Sequence, residues 1–204
     1  LVVTYYKTSS FPQVEDFMKR AKEEFESTHK GVTIDLQPVE AEADQYFTKL
    51  ALMNKSKSKA PDIIYEDTFQ VMSDAAAGYL LPIDQYVKDW DEWSQYSESS
   101  TQGAKGMDGK LYGVPFGTDT RGIYFNKKIF EQAGLPTDWQ PKNWDEILSA
   151  ARTIKEKVPG VIPMNIYAGR AGGEQTTMQG FEMLLYRTQD TLYNTDTNKW
   201  VSGS

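Results

Sequence analysis

Two hydrophobic periods alternate along the chain, and their alternation predicts an α/β fold. Leu1–Tyr6 (LVVTYY) is a short β-branched and aromatic run of the kind that forms a buried strand. From Pro12 the apolar positions Val14, Phe17, Met18, Ala21 and Phe25 fall at helical spacing with charges between them, and Gly31 ends that helix. Val32, Ile34 and Leu36 then alternate with Thr33, Asp35 and Gln37, which predicts a strand with one buried face. The unit recurs in kind. Tyr46, Phe47, Leu50 and Ala51 mark a second helix, Pro61–Tyr65 a further strand, and Phe69, Met72, Ala76 and Leu80 a third helix. Strands alternating with helices imply a mostly parallel sheet with right-handed crossovers. Ligands of such sheets bind at the loops beyond the carboxyl ends of the strands.

The pattern weakens over Asp89–Gly106, a tract of Ser, Gln, Trp and charge that reads as irregular surface with one helical turn. Met107-Asp108-Gly109-Lys110 carries the Asp-Gly hairpin signal. Arg121–Phe125 reads as another strand, followed by a short helix that Gly134 and Pro136 terminate. Asn143 with Glu146 three residues on is a loose capping box, and Trp144, Ile147, Leu148, Ala151 and Ile154 continue that helix on one face. Val161–Ile166 leads into a glycine-rich strand-to-helix loop, Tyr167–Glu174, and Met178, Phe181, Leu184 and Leu185 mark the helix beyond it. Tyr193–Trp200 is a polar turn with a strand attached.

Composition narrows the partners. A formal charge of −7 repels phosphate backbones and anionic lipid, so neither nucleic acid nor a membrane surface is expected as a partner. No run reaches the roughly eighteen apolar residues that a membrane span needs. With no cysteine the chain has neither disulfides nor thiolate chemistry. Its one histidine, His29, sits at a polar helix exit where a structural or solvated role suits it better than metal or catalytic work, so neither metal nor cofactor is expected.

The order of segments resembles the type 1 extracellular solute-binding proteins of ABC transporters, the family of the maltose- and trehalose-binding proteins. The stretches that carry the likeness are Phe25–Ile34, Ala60-Pro61-Asp62-Ile63-Ile64-Tyr65, Ala77–Ile83 and, most specifically, Gly109–Pro115 running on through Tyr124–Lys127 and Trp144-Asp145-Glu146. The resemblance implies a periplasmic-binding-protein-like α/β fold, with two lobes of mostly parallel sheet facing each other across a cleft. Family members are nearly twice as long, so the chain is expected to be an N-terminal fragment with an incomplete second lobe. The first lobe would occupy residues 1–117 and the beginning of the second 118–204, with the crossing near Phe116–Thr120. The implied role is capture of a sugar or oligosaccharide and its delivery to the permease subunits by a monomer outside the cytoplasm, in the periplasm or held by an upstream lipid anchor.

A sugar site needs carboxylates and amides for hydroxyls. Asp67 directly follows the strand ending at Tyr65 and matches an acidic position of trehalose-binding relatives; it could instead cap the next helix. Glu66 adjoins it. Asp119 matches the position where maltose- and trehalose-binding relatives place a ligand carboxylate, and Arg121 could touch ligand or pair with Asp119. Thr8 and Ser9 correspond to the family's polar turn over the sugar, or are a plain strand-to-helix turn. Tyr167, Arg170 and Glu174 flank the glycine-rich loop, and Arg170 leaves open an anionic solute such as a sugar phosphate.

Rival classes are a carbohydrate hydrolase or lyase, for which an adjacent acidic pair is weak evidence, and a pure interaction module. A dinucleotide-binding oxidoreductase is excluded because Lys7-Thr8-Ser9-Ser10 has no glycine.

Overall fold

A computed structural model describes residues 1–41, 43–170, 173–186, 191–194 and 196–201. Contacts divide the chain into two compact units, Leu1–Asp119 and Thr120–Ser204.

The first unit is built on a parallel three-stranded sheet ordered β2-β1-β3, from β1 (Val2–Lys7), β2 (Asp35–Glu40) and β3 (Ile63–Ile64). The helix α1 (Gln13–Thr28) links β1 to β2, and α2 (Ala43–Asn54) links β2 to β3. β2 starts later than the alternation Val32–Leu36 predicts and contains Pro38. A proline removes a ladder donor, and β2 is an edge strand where that loss is tolerated. Behind the sheet, Val39, Tyr46 and Leu50 form a buried cluster joined by Tyr6, Phe47 and Ile64. Each fully buried large side chain of this kind contributes about 1.5–3 kcal/mol. His29 closes α1 by donating its N–H to the Phe25 carbonyl (2.9 Å) and stacking on the Phe25 ring, the structural role expected of it.

After β3 come α3 (Thr68–Ala76), α4 (Asp84–Val87), a 3-10 turn at Asp91–Gln95 and α5 (Glu98–Gln102). The Asp-Gly signal is a real tight turn. Gly109 has φ +75°, Gly106 N–H donates to the Lys110 carbonyl (2.9 Å), and Lys105 bridges Leu111 in antiparallel sense. Leu111 packs with Val87 and Ala104, and Trp93 leans on that cluster.

In the second unit α6 (Lys127–Ala133) packs against α7 (Trp144–Lys157) through Phe130, Ala133, Ala150 and Ile154. Asn126 caps α6, and Gly134 ends it in the left-handed conformation at φ 72°. At α7 the Asn143 side chain accepts from Glu146 N–H (2.9 Å), while the Glu146 carboxylate accepts from Lys142 N–H (2.9 Å), one residue earlier than a strict capping box. A π-helical stretch, Gln175–Phe181, runs into α8 (Glu182–Tyr186), and β4 (Tyr193–Asn194) pairs antiparallel with β5 (Lys199–Trp200). Arg121–Phe125 and Val161–Ile166, expected as strands, pair with no neighbour among the described residues. The pattern encodes an extended apolar segment, but a strand also needs a partner's backbone groups, which local sequence does not supply.

Candidate functional site

Parallel pairing brings the carboxyl ends of three strands to one edge of the first unit, and each delivers a charged residue there. Lys7 ends β1, Glu40 ends β2, and Glu66 and Asp67 come after β3 with Tyr65 between. A hollow of about 560 Å³ opens beside the ends of β1 and β2, walled by Lys7, Thr8, Ser9, Glu15, Glu40 and Gln45. Thr8 closes the turn into α1, accepting Ser10 N–H on its Oγ1 (3.3 Å) and Phe11 N–H on its carbonyl (3.3 Å). It does not cap the helix, whose N-cap position is held by Pro12. Lys7 Nζ lies 3.3 Å from Glu15 Oε2 and 3.9 Å from Glu40 Oε2, and Glu15 Oε1 also binds Lys19 at 2.8 Å. These ammonium groups, Lys19 foremost, hold the Glu15 carboxyl below its ordinary range.

At the end of β3 the two acids separate in character. Asp67 occupies the N-cap position of α3, yet its carboxylate caps no backbone N–H; it is exposed and accepts the Thr68 hydroxyl (3.3 Å). Glu66 is half-buried beside Asp74, which is itself 8% exposed and accepts Asn54 Nδ2 at 3.5 Å. Burial first, and the adjoining Asp74 carboxyl second, push the Glu66 carboxyl up to about 8. Both effects favour the protonated form of Glu66, the form that can donate toward Asp74. Tyr46 donates its hydroxyl to the Tyr65 carbonyl and fixes the start of this loop from behind. Burial raises the Tyr46 phenol well above its ordinary range.

The segment leading to Asp119 is fastened to the same region. Phe116 meets Tyr65 edge-on at 5.6 Å and Phe17 at 4.9 Å, so the backbone three residues ahead of Asp119 lies against the residue two before Asp67. Asp119 is exposed and closes the first unit, and Arg121, also exposed, belongs to the second.

In the second unit Tyr167 is half-exposed, with its carbonyl oxygen against Gly180 of the π-helical stretch; a Cβ built on Gly180 would stand 2.2 Å from that oxygen. Thr176 Oγ1 donates to the Gly169 carbonyl (2.7 Å), and Gly173 N–H donates to the Arg170 carbonyl (3.2 Å). The Thr176 N–H donates to the Gly173 carbonyl (3.2 Å). Arg170 is exposed and Glu174 half-buried, while Ala171 and Gly172 of this loop lie outside the described residues.

Sequence reasoning passed over Glu15, Glu40 and Gln45 in the hollow, and Asp74 and Asn54 behind Glu66. Glu40 was findable as the last residue of a parallel strand. Asp74 was not, because an acid seven residues into a helix carries no signal of burial. Among the described residues no group of His, Cys, Asp and Glu could hold a metal ion, and no helix is long and apolar enough to cross a membrane.

The comparisons with known proteins agree with this architecture. An ABC transporter solute-binding protein from Thermotoga lettingae TMO, solved with alpha-D-tagatose bound, superposes with a TM-score of 0.68 at 25% identity, covering 98% of this chain and 49% of that one. A protein of Brucella abortus described as a binding protein is 28% identical over 155 residues, 76% of this chain and 35% of that protein. The sn-glycerol-3-phosphate-binding periplasmic protein UgpB of Rhizobium meliloti is 30% identical over 104 residues, 48% of this chain and 24% of that protein. The chain thus spans half or less of the length of these relatives. The model of the bacterial extracellular solute-binding protein family matches residues 9–200, nearly the whole chain, and the chain belongs to that family.

Proposed function

We propose that the chain belongs to the substrate-binding component of an ABC importer, which takes up a sugar or oligosaccharide in a cleft between two lobes outside the cytoplasm and hands it to the permease without altering it. The observation that carries this reading is the uncapped, exposed Asp67 carboxylate at the carboxyl end of a parallel strand, beside the segment that leads to Asp119. A carboxylate spared from capping keeps its lone pairs for ligand hydroxyls, and the family membership supplies the context. The tagatose bound to the Thermotoga lettingae relative favours a sugar over other solutes.

In this reading Asp67, Asp119, Thr8 and Ser9 form one wall, and Tyr167, Arg170 and Glu174 belong to the other. Arg121 holds Asp119 in position, and Glu66 acts from behind Asp67. The hinge lies near Gly117, and binding energy is spent on stabilising the closed form that the permease recognises. Calorimetry on the chain and its variants tests the assignment. Asp67→Ala and Asp119→Ala should each weaken the bound sugar by about 1.5–3 kcal/mol, the range for hydrogen bonds to a charged partner. Unchanged affinity in both would remove the carboxyl edge of the first unit from the site.

A further inference from the structure

We infer that the first-unit wall of this site is built for an uncharged polyhydroxyl ligand and against a phosphorylated one, because its one strand-end cation is already masked by two carboxylates. This rests on the binding role proposed above and deepens it.

Lys7 is the cation at the carboxyl edge, 37% exposed and projecting into the hollow. Its Nζ lies 3.3 Å from Glu15 and 3.9 Å from Glu40, and Lys19 is tied to the same Glu15 at 2.8 Å. The rest of the edge adds the Asp67 carboxylate and the Glu66–Asp74 pair. Across Leu1–Asp119 the sequence holds a single arginine, Arg20, which lies within α1. Phosphate is best recognised by an arginine fork or an uncommitted ammonium, and this wall offers neither. A phosphate dianion placed there would meet the carboxylates of Glu15 and Glu40 with Lys7 already engaged by both, and the repulsion falls directly on its affinity. A sugar fits the same groups. Its hydroxyls donate to the carboxylates while its oxygens accept from Lys7, Thr8 and Ser9. The masking also presets the Lys7 side chain, so less rotamer freedom is lost when a neutral ligand binds.

Two arms test this. In the first, the full chain is titrated calorimetrically with uncharged mono- and oligosaccharides and with the phosphate ester of each one that binds. The inference expects each ester to bind at least about tenfold more weakly, and equal or tighter binding of an ester overturns it. The second arm does not need the cognate sugar. Inorganic phosphate replaces chloride at matched ionic strength, and thermal stability is followed for the wild type and for Glu15→Gln/Glu40→Gln. The wild type should show no stabilisation by phosphate, and the double variant should gain it as Lys7 is unmasked. Stabilisation of the wild type by phosphate, or no gain in the variant, overturns the inference. Glu40→Gln alone, at a carboxylate 82% exposed, keeps this arm open if the double variant does not fold. A wild-type phosphate response lost in Arg170→Gln would place anion recognition in the second unit and contradict the inference. Absence of binding by any sugar, with the second arm behaving as expected, would count against the carbohydrate reading while leaving the charge masking established.

Discussion

At the scale of single residues, the chain carries polar groups whose burial costs stability, and two of them can be tested. Thr4 lies in the central strand β1, is fully buried, and its Oγ1 has no hydrogen-bond partner among the described residues. Valine has nearly the same shape without the desolvated hydroxyl, so Thr4→Val should raise the denaturation midpoint by the equivalent of about 1 kcal/mol with an unchanged denaturant slope. Glu66 gives a pH dependence. Its folded-state value of about 8 lies above its ordinary value of 4.5, so between these limits the folded chain holds a proton that the unfolded chain releases. The contribution is intact below pH 4.5 and is lost as pH rises through 8, and Glu66→Gln should flatten this part of the stability profile measured by chemical denaturation. Asp67 was legible in the sequence as a candidate because its place after a β-branched strand is local information. The different fate of Glu66, one residue earlier, was not, because it depends on Asp74 across a helical turn and on Asn54 from another helix.

At the scale of elements, apolar periodicity located the helices α1, α2 and α7 and the Gly134 stop located α6, since these signals need no distant partner. The extended segments fared differently. β1 and β3 were legible and are paired, whereas Arg121–Phe125 and Val161–Ile166 have the right residues but no ladder among the described residues; Tyr124 is 90% and Ile162 82% exposed. Tyr167–Glu174 was legible as a glycine-rich turn into a helix, but nothing local announced the π-helical winding after it. That winding brings Gly180 onto the Tyr167 carbonyl, and the close approach is to backbone, which cannot swing aside. Gly180→Ala should therefore destabilise the second unit by about 1–3 kcal/mol, read as a lowered melting temperature.

At the scale of the molecule, the family assignment follows from the order of modest signals spread over residues 9–200 and from no single motif. The acidic balance of −7 leaves phosphate-bearing macromolecules disfavoured as partners. The identity of the solute was not legible, because specificity depends on how side chains of different elements converge in space, and the chain spans half or less of its relatives' length. The proposed role is to bind a sugar and leave it chemically unaltered. Isothermal calorimetry with uncharged mono- and oligosaccharides, followed by chromatography of the recovered ligand, tests this most directly. Saturable binding of at least one sugar, weakened in Asp119→Ala, with the ligand recovered intact, is the expected result; product formation at catalytic rates, or no saturable binding to any sugar of the series, would overturn the proposed role.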